Sequence, residues 1–172
     1  VYNGNDLPGY SELGIEGLRD DIKIINVPGE MFAGACLNHG HLLAEGEYCF
    51  RVDDDDFYGP NYILDMILQA RCIDSDFFGK PPAPVYFQDD KLIYLRKFVL
   101  KFCIVTYSVI NEGKVWLGGN SISGKKSYFK IFNYQDRAYG AADSFLLYNL
   151  NSGQDLVISF MDDLNLVAER RS

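Results

Sequence analysis

The chain lacks the marks of a membrane span, a disulfide scaffold or a nucleic-acid binder. No apolar run approaches the roughly 20 residues that cross a bilayer. The start shows no signal-peptide pattern. The four cysteines, Cys36, Cys49, Cys72 and Cys103, form no Cys-x-x-Cys pair, which argues against a zinc site. Each lies among apolar neighbours and is expected as a buried free thiol, the state of a reducing compartment such as the cytoplasm. Basic residues are in deficit: 16 Lys and Arg against 24 Asp and Glu leave a net charge of −8. Phosphate backbones are bound by basic surfaces, so this balance argues against nucleic acid as the main partner. A phosphate-bearing small molecule is still allowed if a metal screens the charge. Histidine is scarce too. His39 and His41 stand i, i+2 and do not share a helical face, so a joint metal site is not expected of them.

What is present is enough for a folded domain. The chain has 172 residues, 48% of them hydrophobic and 23% charged, ordinary values for one soluble domain with a sizeable core. No internal repeat or long linker divides residues 1–172. Residues 1–21, rich in Gly, Asn, Asp and Pro, are expected to be irregular. A strand is predicted over 22–27, stopped by Pro28-Gly29. A helix follows over 30–45, with Met31, Ala35 and Leu42 at helical spacing and Gly46 as its cap. Residues 47–52 read as a buried strand. Pro60 opens a second helix to about Cys72, with Tyr62, Ile63, Met66, Ile67 and Ala70 on one face. This alternation predicts an α/β sheet with parallel neighbours. Further on, strand pieces are expected at Phe77-Phe78, 85–87, within 91–107, at 114–117, over 126–132 and at 156–159, with a helix near 141–150.

The strongest chemical signal is a run of four aspartates, Asp53-Asp54-Asp55-Asp56, between the second strand and Gly59-Pro60. Adjacent like charges repel and need either open solvent or a cation. Carboxylates suit a hard ion such as Mg²⁺ or Mn²⁺, with water and substrate phosphate completing the shell. In an extended segment Asp53 and Asp55 would point one way and Asp54 the other, making Asp-x-Asp the metal-facing pair. A solvated acidic loop is the plainer alternative. The position favours a site, because ligands of α/β sheets bind beyond the carboxyl ends of strands. A calcium-binding module is a second rival, against which the Asp-x-Asp-x-Asp-Gly spacing and the distal Glu of an EF-hand loop are both missing.

With these elements in order, the chain resembles nucleotide-sugar glycosyltransferases of the GT-A fold, family-2-like. Asn38 leading to Ala44-Glu45-Gly46-Glu47-Tyr48 resembles that family's approach to its metal motif. Val52-Asp-Asp-Asp-Asp56 resembles its hydrophobic-Asp-x-Asp-Asp signature, and Gly59-Pro60-Asn61-Tyr62 the turn and helix after it. Gly119-Asn120-Ser121 with Phe129 resembles the acceptor side, Gly140-Ala-Ala-Asp143 the Glu-Asp position, and Ser159 to Asn165 with Arg170-Arg171 the tail over the diphosphate. The resemblance implies a mixed α/β sheet flanked by helices. It implies transfer of a sugar from a nucleoside diphosphate sugar to a hydroxyl on a glycan or lipid-linked acceptor, with inversion, in surface-glycan biosynthesis. The cofactor would be Mn²⁺ or Mg²⁺ on Asp53 and Asp55. Asn38, Asp53, Asp56 and Arg170 would bind donor, and Asp143 would be the base.

Two departures qualify this. Ala142 stands where the family carries Glu, and Asp143 could instead be a helix N-terminal carboxylate. The family also begins with a strand, helix and strand for which 1–21 is too short, so an N-terminally truncated version of the fold is expected. Trp116 could stack on a sugar or pack in the core. Lys125-Lys126 could meet phosphate or solvent, and Arg170-Arg171 could pair with diphosphate or hang free. The expected location is the cytoplasm, including the inner face of a membrane. The rival function is a catalytically inactive transferase-like domain that binds sugar or protein.

Overall fold

In a computed structural model of the chain, residues 2–3, 21–82, 84–95, 103–105, 117–137, 156–162 and 165–170 are described, with single positions 9, 11, 12, 14 and 17. In chain order the elements are β1 (Tyr2–Asn3), β2 (Asn26–Val27), α1 (Ala33–Leu43), β3 (Tyr48–Phe50), β4 (Phe57–Tyr58), α2 (Tyr62–Ile73), β5 (Phe77–Gly79), β6 (Val85–Phe87), β7 (Leu92–Tyr94), β8 (Cys103–Val105), β9 (Ser123–Lys125), α3 (Lys126–Phe129), β10 (Ile158–Phe160) and β11 (Leu166–Arg170). A five-stranded sheet runs β3-β9-β5-β10-β8, a four-stranded sheet runs β4-β11-β6-β7, and β1 pairs with β2 in parallel.

The core follows from strand alternation. β5 and β10 pair in parallel and are buried at every residue, as expected of central strands covered on both faces. Phe77 joins a cluster with Ile122, Phe129, Phe132, Ile158 and Phe160 on one face. Phe78, one residue on, joins Tyr62, Met66, Ala70 and Met161 on the other. Helix α2 presents the stripe Tyr62, Met66, Ala70, while Ile63 of the predicted face is 43% exposed. Its C-cap, Asp74, adopts the left-handed conformation at φ 56°.

Several expectations need correction. The predicted strand over 22–27 contracts to β2, and the helix over 30–45 to α1, whose buried side chains include His41 while Leu42 and Leu43 face solvent. The first α/β neighbours are not adjacent: β9 lies between β3 and β5, antiparallel to both. Gly124 makes this possible. A Cβ there would stand 2.7 Å from the Asp76 carbonyl oxygen and 2.9 Å from the Phe77 ring. The strand predicted over 126–132 is instead α3 and a turn, because Tyr128, Phe129 and Phe132 carry helical spacing into the core. Among the cysteines, Cys49 is buried, Cys36 half-buried and Cys72 exposed. Residues 106–116 and 138–155, which hold Trp116, Ala142, Asp143 and the helix predicted near 141–150, lie outside the described residues. No helix among the described residues is long and apolar enough to cross a membrane.

Candidate functional site

The four aspartates sit where the chain leaves one sheet and enters the other, between β3 and β4. They do not extend the strand. Asp54 and Asp55 form a turn and both are exposed, while Asp53 and Asp56 are half-buried. The simple alternation expected of an extended run therefore gives way to a folded arrangement. One carboxylate oxygen from each of Asp53, Asp55 and Asp56 lies within 4.8 Å of the others.

Each half-buried aspartate is held. Arg51 grips Asp53 with two parallel bonds, Nε to Oδ1 at 2.6 Å and an Nη to Oδ2 at 2.9 Å. Such forked, charge-assisted pairs are among the strong hydrogen bonds. The Asp53 amide donates to the Tyr58 hydroxyl at 2.9 Å, and that hydroxyl donates to the Asn120 carbonyl at 2.9 Å. Burial foremost, with the nearby charges of Asp53 and Asp56, pushes the Tyr58 phenol up to about 12, although its bond from the Asp53 amide acts the other way. It therefore remains a phenol and can serve both bonds. Asp56 accepts from the Asn120 side-chain amide and, at 2.9 Å, from the Glu169 backbone amide. It thus ties the acidic turn to the Gly119–Ser121 turn and to β11. Asp55 makes no hydrogen bond or ion pair among the described residues and is the open carboxylate.

The chain beyond the turn is locked as well. The Gly59 amide donates to the Asn165 carbonyl at 2.8 Å, and the Asn165 side chain donates to Asp65 at 2.6 Å. A Cβ on Gly59 would fall 2.5 Å from the Asn165 side-chain oxygen. On the far side of the Gly119–Ser121 turn, Ser121 accepts from the Lys80 backbone amide at 2.9 Å. The Lys80 side chain is fully buried, with Nζ 2.9 Å from Asp162 Oδ1 and 5.7 Å from the centre of the Tyr62 ring. Gln69 donates to the other Asp162 oxygen at 3.2 Å. Lys80 and Asp162 follow the parallel strands β5 and β10, so the ends of both are pinned by one buried ion pair.

A cleft of about 1000 Å³ opens beside Asp53, Asp54 and Asp55, between α1 and β3. His41 forms part of its wall. Its ring stacks on Phe129 at 3.9 Å and on Tyr134 at 5.7 Å. Burial first, and the Arg51 charge second, lower its pKa to about 4, so the ring is neutral near neutrality. Its buried Nδ1 has no hydrogen-bond partner among the described residues. β3 borders the cleft as an edge strand and pairs only with β9 among the described residues.

The structure thus brings Asp53, Asp55 and Asp56 together. Asn38 is not among them: its side-chain amide donates to the Tyr134 carbonyl at 2.8 Å and its oxygen accepts from the Tyr134 amide at 2.9 Å. Arg170 is described through its backbone alone, in register with Phe87. Asp143 lies outside the described residues. Sequence reasoning overlooked Arg51, Tyr58, Lys80 and Asp162. Arg51 was findable, because residues i and i+2 of an extended segment share a face. Lys80 and Asp162 pair with each other across 82 positions, and Tyr58 links nearby Asp53 to Asn120, 62 positions on, so neither arrangement shows in a local pattern.

No protein-family model matches the chain, and no curated protein does. Solved structures do match. One is S. aureus TarS, residues 1–349, in complex with UDP-GlcNAc; the likeness covers 95% of this chain and 47% of that one, with a TM-score of 0.67 and 16% sequence identity. This chain has the GT-A fold. It spans about half the length of the TarS chain. At this identity the likeness establishes architecture, not chemistry. In a GT-A frame the acidic turn, the cleft and the ends of β5 and β10 form the candidate site.

Proposed function

We propose that the chain transfers a sugar from a nucleoside diphosphate sugar to a hydroxyl of a glycan or lipid-linked acceptor, with Mn²⁺ or Mg²⁺ on the acidic turn. The observation that carries this reading is the convergence of the Asp53, Asp55 and Asp56 carboxylates within 4.8 Å at a strand end of a GT-A fold. The donor set is all hard oxygen, which suits these ions. Asp55 would be the primary ligand because its carboxylate is open. Asp53 shares its oxygens with Arg51 and is the secondary one. An ion held there would offset the negative charge that grows on the leaving diphosphate.

The chain's own residues supply the rest. Tyr58, Asn120 and the Glu169 amide hold the turn rigid through Asp53 and Asp56. The nucleoside end of the donor lies in the cleft beside Asp53. Asn38 acts on that cleft indirectly, by fixing Tyr134 against the His41 ring. On the resemblance, Arg170 pairs with diphosphate. Asp143 takes the acceptor proton as the acceptor oxygen bonds to the anomeric carbon and the bond to diphosphate breaks, with inversion. Surface-glycan assembly is the role this chemistry fits.

An inactive sugar- or protein-binding domain is favoured by one observation, that Arg51 already occupies both oxygens of Asp53. Calorimetry with Mn²⁺ and UDP separates the readings. The transferase reading expects each to tighten the other, and Asp55→Ala to abolish the effect with the circular dichroism spectrum unchanged. Absence of metal uptake with UDP or GDP present would refute it. Binding of UDP-GlcNAc with neither transfer nor slow hydrolysis would select the inactive domain.

A further inference from the structure

The β6–β7 hairpin ends in a strand whose outer edge is unpaired among the described residues. β6 is anchored by buried Val85 and by its pairing with β11, whereas β7 has no neighbour on its outer edge among the described residues. Leu92, Ile93 and Tyr94 are 52%, 60% and 54% exposed, and Leu95 is 79% exposed. Side chains alternate along a strand, so Leu92 and Tyr94 stand on one face, Ile93 and Leu95 on the other. Tyr94 rests its ring edge-on against Phe87 at 5.2 Å, so the Ile93–Leu95 face and the outer edge are the more open sides among the described residues. Strands of this kind are normally covered or interrupted by charge.

The charge of this stretch is opposite to that of the chain. From Lys91 to Asn111 the sequence carries Lys91, Arg96, Lys97 and Lys101 and not one carboxylate, in a chain of net charge −8. We propose that β7 docks the protein on an anionic lipid surface, with Leu92, Ile93, Tyr94 and Leu95 among the headgroups. Apolar side chains flanked by Lys and Arg are the composition that such a surface attracts, and Tyr is enriched at that depth. The bare backbone edge sets the limit of entry. Its amides and carbonyls still need water, so the strand stays at headgroup level and out of the hydrocarbon. Asp89 and Asp90 at the hairpin turn are repelled by anionic lipid, so the strand lies along the surface rather than entering tip first. The proposal does not depend on the sugar-transfer reading.

Flotation of the full chain with vesicles tests it. The chain should float with phosphatidylcholine vesicles containing phosphatidylglycerol, not with phosphatidylcholine alone, and high salt should weaken the binding. Leu95→Asp should lower the partition coefficient roughly tenfold. Lys91→Gln, at an exposed turn position, should lower it about fivefold and carries the test if Leu95→Asp misfolds. Failure to float with anionic vesicles, or unchanged partitioning of a folded variant, overturns the proposal. So does a concentration-dependent dimer that Leu95→Asp dissolves while the vesicles stay empty, which would make β7 a contact between copies.

Discussion

Mild acid should loosen this fold through one imidazole. His41 has a pKa lowered from 6.5 to about 4, first by burial and then by the Arg51 charge. The folded state thus prefers the neutral ring, and protonation favours the unfolded chain. The stabilisation is whole above the unfolded pKa of 6.5 and is lost as pH falls from there toward 4. A shift of this size corresponds to about 3 kcal/mol in full, of which about 2 kcal/mol disappears between about pH 7 and about pH 5. For a chain of this length that is a drop in melting temperature of about 4–8 °C. The window lies mostly above the range where ordinary carboxylates titrate, so the histidine dominates it. Urea unfolding followed by circular dichroism at several pH values measures the effect. His41→Phe keeps a flat ring against Phe129 and Tyr134 and removes the titrating group. Its stability should be nearly level across the same window. A wild-type curve that is already level, or a variant that falls as steeply as wild type, would refute the reasoning.

Other substitutions separate scaffold from ligand site. Asp56→Ala removes the acceptor of the Asn120 side chain and the Glu169 amide and should cost about 2 kcal/mol in chemical denaturation. Asp55→Ala, by contrast, should leave that midpoint unchanged. Gly124→Ala forces a methyl group to within 2.7 Å of the Asp76 carbonyl oxygen and should destabilise by about 1–3 kcal/mol, read as a lower urea midpoint. An unchanged midpoint would mean that β9 has room the geometry denies.

The legible parts of this chain are those written in neighbouring residues. Helical spacing located α1 and α2 to within a few positions, and the apolar run before Asp53 located β3. The match to a GT-A structure agrees with the architecture read from these elements. What escaped depends on distant partners. Nothing local announces that Ser123-Gly124-Lys125 threads between β3 and β5; it takes the missing side chain of Gly124 to fit there. The aspartates turn rather than alternate because Tyr58, Asn120 and Glu169 hold them, and two of those lie far along the chain. Asn38 shows the same limit: a helix-borne amide with both ends spent on Tyr134 looks in sequence like a free polar contact. Lys80 reads as a surface lysine until Asp162 and the Tyr62 ring enclose it.

β3 has one more consequence. Among the described residues its outer flank is unpaired and turns its amide and carbonyl groups toward the cleft. Such a flank is a template, and any polypeptide with a compatible strand can be recruited onto it by main-chain bonding alone. In concentrated solution the nearest source is another copy of the same molecule. The cleft proposed to admit a nucleotide is therefore also a flank onto which a second strand can be recruited.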